Sequence, residues 1–417
     1  MFIQIHILQS MPPGNVNRDD SGQPKKCIFG GVTRGRISSQ CLKRNIRTSP
    51  QFEEVFGGQL AKRTKYLPRL VADAIKAAGT IPIEELDGIK AGIAAEFKKE
   101  VRAEQEDHEN PTASAVEATD VTPQLVFFQP AFATKIAALI DTLRQEHPNV
   151  YRQLISVKKK KGSKEKDEDK AADAALTAFR ESALRAKESL SIDVGLFGRM
   201  TTSDIVVDVE AACQVAHAIS THETLIESDY FTALDDLQNQ FVESQTKRGG
   251  AGFVSSAENR TFFSSAVYYK YLNLDRDALL KNVSGIDPSA VDRAAGVLVE
   301  AAALATPTGK QNSFAAHSTP DLILVEISRR KQPLSYANAF LRAVSGEDLM
   351  KASVEALADH CTSVAAAYAP PDTKRFLLAV GAAEEVPLGL QVERIGTLAG
   401  LSEAITKYVS SGRAGAQ

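Results

Sequence analysis

The residues best suited to binding a charged ligand lie near the N-terminus, in the segment NRDDSGQPKKCIFGGVTRGRISSQCLKRNIR at positions 17–47. From Lys25 to Arg47 this segment contains no Asp or Glu. Lysine and arginine supply the charge that phosphate groups require, and hydroxyl and amide groups suit phosphate and sugar oxygens. The pattern predicts a site for a polyanion, and the alternative is a solvated surface with a turn at the glycines. The cations of the stretch are Lys25, Lys26, Arg34, Arg36, Lys43, Arg44 and Arg47.

The elements of this segment would have to bring its polar groups together. The end of the segment predicts a helix around Ser39–Arg47, on which Lys43 and Arg47 share one face because they are four residues apart. Ser38 or Ser39 can cap the helix and direct its positive N-terminus at an anion. The pair Gly30-Gly31 would let the backbone approach a ligand closely.

The same segment resembles the N-terminal signature of the backbone subunit of type I-E CRISPR Cascade, the CasC or Cse4 family. Further stretches resemble that family in the same order along the chain. They are LFGRMTTSD (196–204), VAHAISTHE and DYFTALDDLQ (within 215–238), FFSSAVYYKY (262–271) and PLSYANAF (333–340).

The resemblance implies which residues bind RNA. Met200, in the motif GRM, would lie near the guide bases, and the alternative for it is ordinary core packing. Thr232 would help to displace a base at regular intervals, and the alternative for it is a surface hydroxyl. The positions implied to contact guide phosphates and sugars are Arg18, Lys25, Ser38, Gln40, Lys43, Arg44 and Arg47.

The resemblance also implies partners. Several copies would polymerise head-to-tail along a CRISPR RNA together with other Cascade subunits, and contacts of this kind that do not close produce a helical filament. The guide bases would stay free to pair with target DNA, so base pairing would carry the sequence specificity.

Hydrophobic periodicity predicts an α+β fold. Strands are expected at 2–8, 260–274 and 321–328, the first of them central in its sheet, and amphipathic helices at 83–105 and 130–155. Two shorter helices are expected at 210–222 and 334–344, and residues 11–23 are expected to form a loop.

The resemblance implies how these elements are arranged. Residues 1–48 and 190–417 would form a ferredoxin-like, RRM-like palm. Residues 49–189 would form a helical insertion, the fingers, and residues at about 222–254 a thumb hairpin. Within the insertion, the charge run at 157–170 predicts a solvated mobile loop. Its alternative role is non-specific contact with duplex DNA through Lys158, Lys159, Lys160 and Lys161.

Catalytic motifs are absent from the sequence, which contains no G-x-S-x-G, no H-E-x-x-H and no P-loop. Asp19 and Asp20 are of interest because related type III backbone subunits cut RNA with a loop aspartate, whereas those of type I are understood to bind without cutting. We expect Asp19 to cap or brace its loop, and no enzyme activity. The alternatives are a ribonuclease that acts through Asp19 or a histidine, and a general single-stranded nucleic-acid-binding protein.

Composition sets further limits. The 417 residues carry a net charge of −3, so a nucleic-acid-binding protein of this kind must concentrate its basic charge in patches. The four cysteines form no C-x-x-C pair, and His217 and His222 are five residues apart, so no metal or cofactor is expected. Widely separated cysteines suit a reducing cytoplasm. No apolar run is long enough for a membrane span, and none is expected.

Overall fold

A computed structural model describes residues 1–105, 120–122, 125–156, 190–200, 208–230 and 260–414 of the chain. Contacts between Cα atoms divide it into two compact units. Unit 1 comprises residues 1–52, 215–273 and 295–417, and unit 2 comprises residues 53–214 and 274–294. The insertion predicted at 49–189 falls within unit 2 except for its first four residues. Unit 2 also takes in later parts of the chain.

The described strands are β1 (Phe2–Gly14), β2 (Lys26–Phe29), β3 (Val32–Ile37), β4 (Lys62–Thr64), β5 (Val126–Phe128), β6 (Cys213–Val215), β7 (Ala218–Ser220), β8 (Glu227–Tyr230), β9 (Arg260–Asp275), β10 (Leu322–Ser328), β11 (Lys374–Ala379) and β12 (Glu393–Arg394).

The described α-helices are α1 (Ser39–Arg47), α2 (Pro50–Phe56), α3 (Leu67–Ala78), α4 (Leu86–Gln105), α5 (Pro130–Glu146), α6 (Pro148–Ile155), α7 (Ile192–Phe197), α8 (Arg276–Asn282), α9 (Pro288–Leu304), α10 (Gln311–Phe314), α11 (Leu349–Tyr368), α12 (Ala382–Glu385) and α13 (Leu398–Ala414). Together with the strands they confirm the α+β class. Two short 3₁₀ helices lie at Ile83–Glu85 and Ala337–Phe340.

One large sheet has the strand order β12-β11-β10-β1-β9-β7-β3-β2, and β8 pairs with β9. The predicted central strand at the N-terminus is confirmed, because β1 lies between β10 and β9 and its residues from Phe2 to Gln9 are buried. It pairs antiparallel with β10, with Ile5 opposite Val325. It also continues to Gly14, into the part predicted as a loop.

The helix predicted at 210–222 is wrong, because the structure has two short strands there, β6 and β7. Hydrogen bonds to distant strands decide their conformation: Ile219 pairs with Tyr269 of β9 and Ala218 with Ile37 of β3. Pairing between strands far apart in sequence overrides local helical spacing.

The helix predicted at 334–344 is reduced to the 3₁₀ turn at Ala337–Phe340. The backbone N–H of Leu334 donates to Gln4 Oε1 at 2.6 Å, and that of Tyr336 donates to the Tyr269 hydroxyl at 3.0 Å. Side chains of the sheet therefore hold the start of this segment in a non-helical conformation.

Unit 2 has its own core, which lies between α3, α4, α5 and α6 and includes Ile75, Ile89 and Ile140. The helices predicted at 83–105 and 130–155 are confirmed, although the first opens with a 3₁₀ turn and the second is divided between α5 and α6. The two-stranded sheet of β4 and β5 was not predicted, since each strand has only three residues.

Candidate nucleic-acid interface

Helix α1 is the centre of the candidate site, and it forms where the sequence predicts it. Ser38 caps it, with its hydroxyl accepting from the backbone N–H of Cys41 at 3.4 Å. Leu42 and Ile46 are buried and fix the helix against unit 1. The first turn contains no acidic residue, so its free N–H groups keep their partial positive charge.

Four of the implied RNA-contacting residues share one face of α1. Gln40, Lys43, Arg44 and Arg47 follow the spacing i, i+3, i+4 and i+7, which places them within an arc of about 100° on a helix that turns about 100° per residue. Gln40 and Arg44 are exposed, and Lys43 and Arg47 are half-buried. The structure therefore gathers these four residues onto one polar, cationic surface, which we call the α1 face.

Asn17 connects the preceding loop to this helix. The Asn17 side-chain oxygen accepts a hydrogen bond from the backbone N–H of Ser38 at 2.8 Å. Its backbone carbonyl accepts one from the backbone N–H of Lys25 at 2.9 Å. Lys25 in turn accepts from the N–H of Arg36 at 2.8 Å. These bonds hold Lys25 beside the start of α1. Arg18 is exposed in the same loop and forms a bridge with Pro24.

His217 joins this site, although no binding role was predicted for it. Its Nδ1 lies 3.0 Å from Arg36 Nη1. Burial and the charges of Arg36 and Lys25 lower the pKa of His217, so the ring is neutral at pH 7 and its Nδ1 can accept from the guanidinium. The pairing of β3 with β7 brings them together, and no local signal in the sequence announces that pairing.

Arg34, by contrast, is a structural residue and does not contribute to the cationic surface. Its side chain is completely buried. Its guanidinium donates to the carbonyls of Phe29, Ser220, Thr221 and Phe340 at 3.2, 3.0, 2.7 and 2.8 Å. Burial lowers the pKa of Arg34. The cationic stretch predicted from the sequence is therefore divided between a buried and an exposed set.

The glycines serve the chain's own packing. Gly30 and Gly31 form the turn of the β2–β3 hairpin with φ of 63° and 83°, values that L side chains rarely adopt. A Cβ on Gly30 would collide with the carbonyl of Leu341, and one on Gly35 would lie 2.6 Å from the Tyr268 hydroxyl. At Gly30 and Gly35 the close neighbour is another residue of this chain, and the approach of a ligand to the Gly30-Gly31 pair stays a prediction.

Asp19 braces its loop. Its Oδ1 accepts from the Ser21 N–H at 3.0 Å, the Ser21 hydroxyl at 2.8 Å and the Gln23 N–H at 2.9 Å. The hydrogen bond from the Ser21 hydroxyl is the main reason that the pKa of Asp19 is lowered. One carboxylate oxygen is thus committed to the turn.

Comparison with known proteins identifies the family. A family model for CT1975-like proteins matches residues 3–404. The chain belongs to the CT1975-like family. It is also similar, with a TM-score of 0.74 and 26% identity, to a chain of a "CRISPR RNA-guided surveillance complex, pre-nicking"; the match covers 98% of this chain and 100% of that one. A chain of a second "CRISPR RNA-guided surveillance complex" shares the fold, with a TM-score of 0.66, 22% identity and the same coverage. The comparison with curated proteins gave no match.

In this CT1975-like protein, Met200 is 95% exposed, so the alternative of core packing is wrong. It follows Arg199, whose backbone pairs with Val209 at N···O distances of 2.9 and 2.7 Å. Thr232, the rest of the predicted thumb beyond Tyr230, and Lys158, Lys159, Lys160 and Lys161 lie outside the described residues.

Within the described ranges, no group of three or more His, Cys, Asp or Glu side chains is placed to bind a metal ion. No helix among the same residues is long and apolar enough to cross a membrane. Cys27, Cys41, Cys213 and Cys361 form no disulfide.

Proposed function

We propose that this CT1975-like protein is a CRISPR RNA-binding backbone subunit of a Cascade-type surveillance complex. Its similarity over nearly the whole chain to a chain of such a complex supports this role. The observation that carries the RNA-binding part is the α1 face, where Gln40, Lys43, Arg44 and Arg47 lie side by side and no acidic residue occurs between Lys25 and Arg47.

The proposed binding chemistry is contact with phosphate and sugar. A capped helix N-terminus offers N–H groups to an anion, and the cations on its flank neutralise neighbouring phosphates. Lys25 and Arg18 extend the surface along the preceding loop. None of these groups reads a base edge, so RNA would be bound irrespective of sequence and its bases would remain available to target DNA.

The strand order supports a ferredoxin-like palm. In a βαββαβ unit the fourth strand lies beside the first, and the third lies between the first and the second. Here β1, β7, β9 and β10 take those four places, because their order in the sheet is β10-β1-β9-β7. Helix α1 lies between β1 and β7 in the chain, and α9 lies between β9 and β10. We assign the palm to unit 1 and the fingers to unit 2.

Several copies would bind head-to-tail along one guide RNA beside other Cascade subunits. Met200 and Thr232 would act near the guide bases, and the exposure of Met200 supports such a contact. Lys158, Lys159, Lys160 and Lys161 would contact duplex DNA during target search. Binding would occur without cleavage, since Asp19 is bonded within its own turn. Four cysteines without a disulfide suit a protein that works in the cytoplasm.

The test is the double substitution Lys43→Ala with Arg44→Ala, with Lys407→Ala as a control on the exposed side of α13. Each lost phosphate contact on single-stranded RNA lowers the slope of log affinity against log salt by roughly 0.7, so the double variant should lose about 1.4 from the slope. The loss should be the same for RNAs of different sequence. A double variant that bound RNA like the control at every salt concentration would show that the α1 face is not the site.

A further inference from the structure

Unit 2 contains a second acid-free basic stretch, which the motifs near the N-terminus do not include. From Val55 to Ala72 the chain has no Asp or Glu, but it has Lys62, Arg63, Lys65 and Arg69. All four side chains are exposed. Lys62 and Arg63 lie on β4, and Lys65 follows in the loop that leads to α3.

Aromatic rings lie among these cations. Tyr66 is 52% exposed, and the Arg69 guanidinium lies over its ring at 5.2 Å. Arg63 pairs with Phe127 across the small sheet, and its guanidinium lies 5.5 Å from the centre of that ring. Phe127 is half-buried, whereas its neighbours Val126 and Phe128 face the core. One aromatic ring on the sheet, Phe127, and one in the loop after β4, Tyr66, therefore each lie beside an arginine.

The strip, which we define as Arg63, Lys65, Tyr66 and Phe127, has a fixed backbone and open cations; Lys62 pairs with the buried Phe128 and so lies on the other face of the small sheet. The Tyr66 N–H donates to Thr64 Oγ1 at 2.9 Å, and the Thr122 N–H donates to the Lys65 carbonyl at 2.8 Å. Arg69 is already paired, with its Nε 2.6 Å from Asp120 Oδ2. By contrast, no ion pair among the described residues involves Lys62, Arg63 or Lys65.

We propose that this strip is a second nucleic-acid-binding site, separate from the α1 face, and that it takes single-stranded nucleic acid. Every base has a π-face that can stack on an aromatic ring or an arginine plane, and the charges of Arg63 and Lys65 match the backbone phosphates. A duplex hides the faces of its bases, and an acidic protein surface does not use aromatic rings for stacking, so a single strand is the ligand that uses both features.

The experiment uses the full chain and fluorescent oligonucleotides of single-stranded DNA, single-stranded RNA and duplex DNA, with polyglutamate as an acidic peptide. Tyr66→Ala should weaken binding of both single strands about tenfold, which is within the range for loss of one stacked base. Tyr66→Phe, which retains the ring, should bind both single strands as tightly as the wild-type protein does. Replacing Arg63 and Lys65 by Ala should lower the slope of log affinity against log salt by about 1.4, from roughly 0.7 per contact. Lys76→Ala, an exposed lysine of α3, is the matched control.

Photocrosslinking separates this inference from the proposed function. A single strand with a photoreactive base should crosslink to Tyr66 or Phe127, and Lys43→Ala with Arg44→Ala should leave that crosslink in place. The inference is overturned if Tyr66→Ala binds single strands normally, or if the crosslink disappears in the α1-face variant. The inference is also overturned if the strip variants lose only their binding to duplex DNA or only their binding to polyglutamate. None of these outcomes changes the result of the α1-face test, which measures RNA binding by the Lys43→Ala and Arg44→Ala variant.

Discussion

The buried guanidinium of Arg34 gives the sharpest test of how the interface is built. It holds the β2–β3 hairpin to Ser220 of β7, to Thr221 and to the 3₁₀ turn through three carbonyls, and a fourth bond goes to Phe29 within the hairpin. In Arg34→Lys the charge remains, but one ammonium on a flexible stem cannot reach carbonyls that lie in different directions. If one of the four bonds survives, three are lost. At about 1 kcal/mol for the net contribution of each hydrogen bond, the loss is about 3 kcal/mol.

Arg36→Lys is the matched control, because Arg36 lies two residues along the same strand and bonds to His217 at the surface. Its free energy of unfolding should change by less than about 0.5 kcal/mol. Urea unfolding can be followed by tyrosine fluorescence, since the chain has no tryptophan and Tyr269 and Tyr336 lie in the core of unit 1. A loss of under about 1 kcal/mol in Arg34→Lys would refute the assignment of Arg34 as the clamp of the hairpin.

Two buried charges give predictions with a defined pH dependence. Burial lowers the pKa of Lys270 from 10.5 to about 8, so its protonation destabilises the folded state below pH 8. Lys270→Met should therefore stabilise the protein at pH 7 by roughly 2 kcal/mol, after allowance for the lost bond to the Ala302 carbonyl. That gain should shrink as pH rises from 8 through 10.5, and a gain that stayed constant in thermal unfolding would contradict the reasoning. Burial would raise the pKa of Glu326, but hydrogen bonds from His6 and Tyr336 and the charge of Arg375 outweigh it and lower the pKa to about 2. Glu326→Gln should cost about 3 kcal/mol at pH 7, and the difference from wild type should shrink as pH falls from 4.5 to 2.

The sequence was sufficient to predict the helices and strands whose conformation depends on residues close together in the chain. The spacing of Lys43 and Arg47 and a cap at Ser38 or Ser39 predicted α1, and the helix forms there with Ser38 as its cap. The alternation of apolar residues in β1 predicted a strand at the centre of the sheet. In each case the information lies within one or two turns of chain or one strand.

The errors arose where distant contacts decide the structure. Strand β7 takes its conformation from hydrogen bonds to β3 and β9, and its own three residues carry no strand signal strong enough to compete. Arg34 and Arg36 look equivalent in sequence, yet one is buried against backbone carbonyls and the other reaches the surface. The position of His217 beside Arg36 also depends on the pairing of β3 with β7. Such positions follow from the tertiary fold, which residue type and spacing do not specify alone.

Native mass spectrometry of the purified protein, with its bound nucleic acid left in place, tests the central proposal most directly. We expect assemblies in which several copies of the protein hold one intact RNA. The number of copies should increase with the length of that RNA. The Lys43→Ala and Arg44→Ala variant should lose both the RNA and the assembly, whereas Lys407→Ala should retain them. A protein that stays monomeric and free of RNA, or one that releases shortened RNA fragments, would contradict a backbone subunit that binds its guide without cutting it.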